Sequence, residues 1–152
     1  MVDVNNNYIV FKVNDFFCSL NCLEVQEINR DCQGITSVKR SPAYISGVIN
    51  LRGDIVSIID LSVLFNFEKK ENATTTIVVV NYDGELFGFV VTEVLDIVTD
   101  NSGVLEKPPT TPNGMKKEYL KGIFTFNEEL VSLLSVSGIL ADSSQTNTED
   151  TV

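Results

Sequence analysis

The side chains able to do chemistry in this chain are carboxylates, three cysteines and an arginine held between two apolar runs. Carboxylates such as Glu24, Glu27, Asp54, Asp60 and Glu93 are the material of an acid–base pair, as in a hydrolase. No spacing organises them. There is no Gly-rich phosphate cradle ahead of a helix, no Gly-x-Ser-x-Gly elbow and no Asp-x-Asp calcium loop. Histidine is absent, which excludes Ser–His and Cys–His nucleophile pairs and any His-bearing zinc site. Cys18, Cys22 and Cys32 form an odd count with no second cluster to complete a four-thiolate zinc site. Cys18, inside the apolar run Phe16–Leu20, is expected to be a buried, unreactive thiol. The expectation is a chain without catalytic residues, metal or cofactor, with an acidic-site hydrolase as the remote alternative.

The segment from Gly47 to Val56 is the most unusual. It sets Arg52 at a hairpin tip between two strongly apolar strands, flanked by Asn50 and Gly53. Gly53 suits a positive-φ turn position and Asn50 can bond its own backbone. A carboxylate pairing with Arg52 would fix its orientation and make it a recognition group; the plain alternative is a solvated turn arginine. The chain is also rich in apolar β-type runs without a pocket signature, and open strand edges are sites for pairing with another chain. An adaptor is the natural class.

These residues have to be positioned by short strands. Tyr8–Val13 and Phe16–Leu20 read as a hairpin around Asn14-Asp15, and 22–28 as a short turn leading into a strand. Ile45–Leu51 and Ile55–Ile59 flank Arg52-Gly53-Asp54. Leu61–Phe65 reads as one or two helical turns with Asp60 as N-cap. Ile77–Tyr82 and Glu85–Val91 flank Asp83-Gly84, which suits a type I′ turn. Val94–Thr99 is a further strand, and 107–118, with three prolines, a loop. Tyr119–Phe126 and Leu130–Ser135 close around Asn127-Glu128. Val136–Leu140 is expected to end as a short helix that Gly138 weakens by about 1 kcal/mol. The polar, acidic residues 142–152 are expected to be a disordered tail. The fold class is mainly β, a sandwich or a pair of barrels, with a lobe boundary near 66–73.

Composition narrows the class further. The chain has 152 residues, 11 Lys plus Arg against 21 Asp plus Glu, and a formal net charge of −10. That balance repels phosphate backbones and anionic membrane surfaces, so nucleic acid is not an expected partner. The 43% apolar share demands a core, and the length suits one domain or two small lobes. No signal peptide and no run long enough to span a bilayer is present, so the expected location is cytoplasmic, without direct membrane insertion.

From about Tyr8 to Leu140 the sequence resembles the CheW family of bacterial chemotaxis adaptors. Asn5–Val13 with Phe16–Leu20 is similar to the family's opening hairpin, and Leu23–Ile28 to its Val-x-Glu-Ile block. Ser41–Gly53, ending in Asn50-Leu51-Arg52-Gly53, is similar to its most specific signature. Ile55–Leu61, Gly88–Val91 and Tyr119–Gly122 follow in order. The resemblance implies two small five-stranded SH3-like β-barrels packed together with short helical turns, and a single domain over 1–141. Its lobes would fall roughly at 14–66 and 74–126, with terminal segments completing the barrels. It implies a noncatalytic adaptor that couples transmembrane chemoreceptors to the histidine kinase CheA in receptor arrays. The partners would be the CheA regulatory domain and the cytoplasmic tip of methyl-accepting chemoreceptors. A coupler for another kinase pathway, such as surface motility, is the alternative.

The resemblance links Arg52 and Glu27 to the interface, and a salt bridge between them is the expectation, with Asn50 beside it. Val25, Ile28 and Gly47 are implied near the contact surfaces of the first lobe, and Gly88 and Val94 flanking a groove on the second. The sequence departs from the family's pattern at Ser57, usually proline, and at Thr92-Glu93, usually an Asp-containing pair. Its Ser135-Val136-Ser137-Gly138 is poor material for the family's final helix. The absence of an appended receiver domain argues against the related CheV proteins.

Overall fold

A computed structural model describes residues 7–30, 35, 45–67, 76–99 and 115–141. Cys32, residues 41–44 of the signature, most of the 107–118 loop and the 142–152 tail lie outside the described residues.

The strands are β1 (Asn7–Val13), β2 (Phe16–Asn21), β3 (Val25–Arg30), β4 (Ile45–Leu51), β5 (Asp54–Asp60), β6 (Thr76–Tyr82), β7 (Glu85–Val91), β8 (Glu93–Thr99), β9 (Leu120–Phe126) and β10 (Glu129–Leu134). Single 3-10 turns at Cys22–Glu24 and Lys117–Tyr119 lead into β3 and β9. Helix α1 (Leu61–Leu64) follows β5, and a second short helix, α2 (136–141), follows β10. The expected hairpins are present, and the turns at Asp83-Gly84 and Asn127-Glu128 have both residues at positive φ. Asp60 caps α1, accepting from the Ser62 backbone N–H at 3.0 Å and from the Ser62 hydroxyl at 2.7 Å. Gly138, which costs α2 helical propensity, has a tertiary reason. A Cβ there would meet the Glu118 carbonyl oxygen at 1.9 Å, so only glycine lets α2 dock this closely.

The strands form two five-stranded sheets, ordered β8-β1-β2-β10-β9 and β3-β6-β7-β5-β4. Both sheets take strands from either side of residues 66–73. Each is built the same way: a central hairpin (β1-β2 or β6-β7), an antiparallel edge strand beside its first strand (β8 or β3), and a second hairpin (β9-β10 or β4-β5) running parallel to its second. The match extends to register. Val10 pairs with Ser19 as Val79 pairs with Gly88, and Ser132 with Cys18 as Ser57 with Phe87. Even the bulges recur, between Val25 and Glu27 as between Val94 and Asp96, and between Ile45 and Gly47 as between Leu120 and Gly122. In chain order the second sheet runs β3-β4-β5-α1-β6-β7. The first has the same sequence of elements, β8-β9-β10-α2-β1-β2, cut between α2 and β1. The molecule is thus one unit present twice, once in circularly permuted order.

The alternation of apolar side chains explains why the sheets pack. On β6, Val78 and Val80 enter a core shared with Ile9, Phe11 and Val13 of β1, while Ile77 and Val79 fill the interior of their own sheet with Ile49, Val56 and Ile58. A strand buried on both faces reads as a continuous apolar run, as Ile77–Val80 does. The shared core also takes Leu61, Leu64 and Phe65 around α1 and Ile139 and Leu140 of α2, so both helices seal the junction between the sheets. Cys18 lies wholly inside it, and burial pushes its thiol up to about 12, which keeps it protonated.

Candidate functional site

The Arg52 guanidinium is bonded to the Glu27 carboxylate. The two residues lie far apart in the sheet's own order. Glu27 is on β3 and Arg52 on the turn leaving β4, and β3 and β4 are opposite edges of the second sheet. Laid flat, those edges would stand about 19 Å apart at the usual strand spacing. The contact therefore requires the sheet to roll into a barrel-like curl whose seam is spanned by side chains, since β3 and β4 have no ladder between them. The expected five-stranded barrel is present here as a curled sheet whose edge strands, among the described residues, share no backbone ladder.

Local structure delivers each partner to this seam. On β3, Val25 pairs with Val80 and Glu27 with Val79, so Gln26 is an inserted residue. A bulge of this kind re-aims the side chains that follow it, and here it leaves the Glu27 side chain 24% exposed at the seam. Arg52 and Gly53 form the two-residue β4–β5 turn at φ +52° and +92°, and the Asn50 side-chain oxygen accepts the Gly53 N–H at 2.9 Å. The β6–β7 turn repeats this arrangement. Asp83 and Gly84 have φ +56° and +86°, and Asn81 accepts the Gly84 N–H at 3.2 Å. Asn and Gly are therefore turn-formers at both sites. Arg52 is not: a residue with φ near +52° is better served by Asn, Asp or Gly, and Asn127 occupies the equivalent place between β9 and β10. Its side chain, 68% exposed, places a cation at the tip that the turn itself does not require.

The remaining expected residues separate by depth. Val25 and Ile28 on β3 are half-buried and pack on the shared core from beside Glu27. Gly47, buried on β4, follows the bulge at Ser46 with φ +148°. Gly88 lies in the same sheet as these residues, in its interior, where a Cβ would meet Ile77 Cγ2 at 2.6 Å and Ile58 Cδ1 at 2.8 Å. There it lets the strands of that sheet pack closely. Val94 belongs to the other sheet, on β8, half-buried against the shared core. The structure thus brings Glu27, Arg52 and Asn50 to one surface, sets Val25, Ile28, Gly47 and Gly88 in the sheet beneath it, and leaves Val94 apart.

One surface feature was not read from the sequence. Ile55, opposite Asn50 on β5, is 61% exposed and puts an apolar face next to the turn that carries Arg52. Its signal was alternation: Val56 and Ile58 point inward, so an apolar residue at 55 must point out. Among the described residues no group of three or more His, Cys, Asp or Glu side chains is placed to hold a metal ion. No described helix is long and apolar enough to cross a membrane.

Comparison with known proteins agrees with this architecture. The CheW-like domain family model matches residues 7–144. A chemotaxis protein CheW from Klebsiella aerogenes is 30% identical over 139 residues, covering 91% of this chain and 83% of that protein. A chemotaxis protein CheW from Bacillus subtilis is 28% identical over 154 residues, covering 98% and 96%. The crystal structure of the scaffolding protein TtCheW from Thermoanaerobacter tengcongensis has the same fold, with a TM-score of 0.80 at 24% identity, covering 89% of this chain and 87% of that one. With the family match running through both sheets and the seam between β3 and β4, the chain belongs to the CheW-like domain family.

Proposed function

We propose that this chain is a noncatalytic chemotaxis adaptor that couples transmembrane chemoreceptors to the histidine kinase CheA, working in the cytoplasm at receptor arrays. The observation that carries the reading is the Glu27–Arg52 pair on a turn whose backbone would be better served without arginine. A side chain kept against its local preference is the mark of a recognition group. Relatives across most of the chain's length are named chemotaxis proteins, and one of similar fold is titled a scaffolding protein, which supports the same class. In this reading Arg52, Glu27 and Asn50 form the contact surface, with Val25, Ile28, Gly47 and Gly88 shaping the sheet under it, and Val94 contributes separately from the neighbouring sheet. No catalytic residue is assigned.

The test is reconstitution of CheA and receptor cytoplasmic fragments with and without the chain, reading receptor-controlled CheA phosphorylation. Arg52→Asn is the informative variant. Asparagine suits the turn, so folding stability should change by no more than about 1 kcal/mol, the ceiling for an exposed ion pair. Binding and coupling should fall by about tenfold or more. A wild-type chain that binds neither CheA nor receptor, or an Arg52→Asn chain that couples normally, would overturn the reading.

A further inference from the structure

The internal repeat makes one open cleft interpretable. Between the β6–β7 turn and α2 lies a cavity of about 330 Å³. Phe87 and the buried Leu140 form its apolar floor, with Tyr82 beside them, and Asp83 and Glu85, both exposed, stand at its rim. The register that relates the two sheets places Tyr82, Glu85 and Phe87 in correspondence with Val13, Phe16 and Cys18, and α2 in correspondence with α1. Asp60, which caps α1, corresponds to Ser135, whose hydroxyl accepts the Gly138 N–H at 3.1 Å. Leu140 then corresponds to Phe65.

In the first copy this niche is filled. The Phe67 ring stacks on Phe16 with centroids 4.4 Å apart, meets Phe65 edge-on at 5.6 Å and packs on the shared core. In the second copy the stack is changed: Glu85 stands at the Phe16 position. The niche that one copy closes with its own phenylalanine is, among the described residues, left in the other with an apolar floor and the carboxylates of Asp83 and Glu85 at the mouth.

We propose that this cleft receives an aromatic side chain flanked by Lys or Arg, presented by a partner protein. The aromatic ring follows from what the equivalent niche holds, and the flanking cations from Asp83 and Glu85. A second copy of this chain does not fit. Among the described residues its large exposed apolar side chains, Phe16, Leu23, Ile55, Tyr82, Ile97 and Leu130, each adjoin an acid, Asp15, Glu24, Asp54, Asp83, Asp96 and Glu129, and would bring like charge to the rim. The chain's own residues 142–152 contain no aromatic residue and three acids. The inference is independent of the chemotaxis reading, since neither Glu27 nor Arg52 lines the cleft.

The test is an amide-resolved NMR titration of the full chain with capped Gly-Lys-Phe-Lys-Gly, against Gly-Lys-Ala-Lys-Gly and Gly-Glu-Phe-Glu-Gly, to about 5 mM peptide, a range suited to a single-anchor contact. Shift changes should centre on 82–87 and 137–141, with at least tenfold weaker binding of both control peptides. Glu85→Lys should weaken binding at least fivefold, and Ala141→Phe, which fills the cleft from its own wall, should abolish it. If Ala141→Phe fails to fold, Glu85→Lys and Asp83→Lys, both exposed, decide the matter. Shifts elsewhere, equal binding of the three peptides, no binding, or indifference to Glu85→Lys and Asp83→Lys would overturn the proposal. So would cleft resonances that move with protein concentration alone, which indicate a second copy, or contacts to 142–152 in the free chain, which indicate its own tail.

Discussion

At the scale of single residues, the carboxylates of β3 and the turn before it divide the work. Glu27 has a cation across the seam. Glu24 does not have one within hydrogen-bond reach: its buried Oε1 lacks a hydrogen-bond partner and Lys121 Nζ stands 3.9 Å away. Burial raises the Glu24 carboxyl above its ordinary value, and the Lys121 charge only partly offsets this. A carboxyl raised on folding favours the folded state at pH below its unfolded value, about 4.3, and that contribution is lost as pH rises through the folded value. Glu24→Gln should therefore raise the melting temperature at pH 7 relative to the parent, with the gap closing as pH falls toward 4. Thermal denaturation followed by circular dichroism across that range measures it; a gap that widens on acidification would contradict the assignment. Arg52 was legible as an oddity because a cation between two apolar strands stands out in any sequence. That Glu27 faces it was carried by the family resemblance, because nothing in residue spacing announces a contact between opposite edges of a sheet.

At the scale of elements, two glycines are demanded by neighbours rather than by turns. Gly88 has no room for a methyl group between Ile77 and Ile58, so Gly88→Ala must displace one of those side chains or β7 itself. A cost of about 1–3 kcal/mol is expected, the range for overpacking a core. Denaturant melts would show a lower midpoint with an unchanged slope. Asn50→Ala should act differently, removing the bond that holds the turn while leaving the core intact. The expected loss of stability is about 1 kcal/mol, with a disproportionate loss of CheA or receptor binding as Arg52 loses its fixed place. The hairpins were readable from Asn-Asp, Arg-Gly, Asp-Gly and Asn-Glu turns between apolar runs, because turn chemistry is local. Helix α2 ran against its composition. Its serine cap and its close docking on Glu118 outweigh a glycine that propensity alone counts against it.

At the scale of the whole molecule, the shared core takes side chains from both sheets and both helices, and β1 and β2 sit centrally in a sheet otherwise built from the chain's second half. The two units should therefore unfold together. Far-ultraviolet circular dichroism and tyrosine fluorescence should report coincident transitions, and removal of residues 1–21 should abolish folding of both sheets rather than one. Separate transitions would show that each unit holds its own core. The sequence by itself determined the β class, most strand boundaries, the turn types, the absence of histidine chemistry and the exposure of Arg52. All of these depend on residue type and near-neighbour spacing. Tertiary structure alone decided that the strands sort into two matching sheets in permuted order, that Gly88 sits where a side chain would meet Ile77 and Ile58, and that, among the described residues, one copy of the niche is filled and the other is not. Those outcomes depend on which distant strands pair. Pairing is set by the simultaneous burial of many weakly specific apolar faces, a sum over the whole chain that no local segment contains.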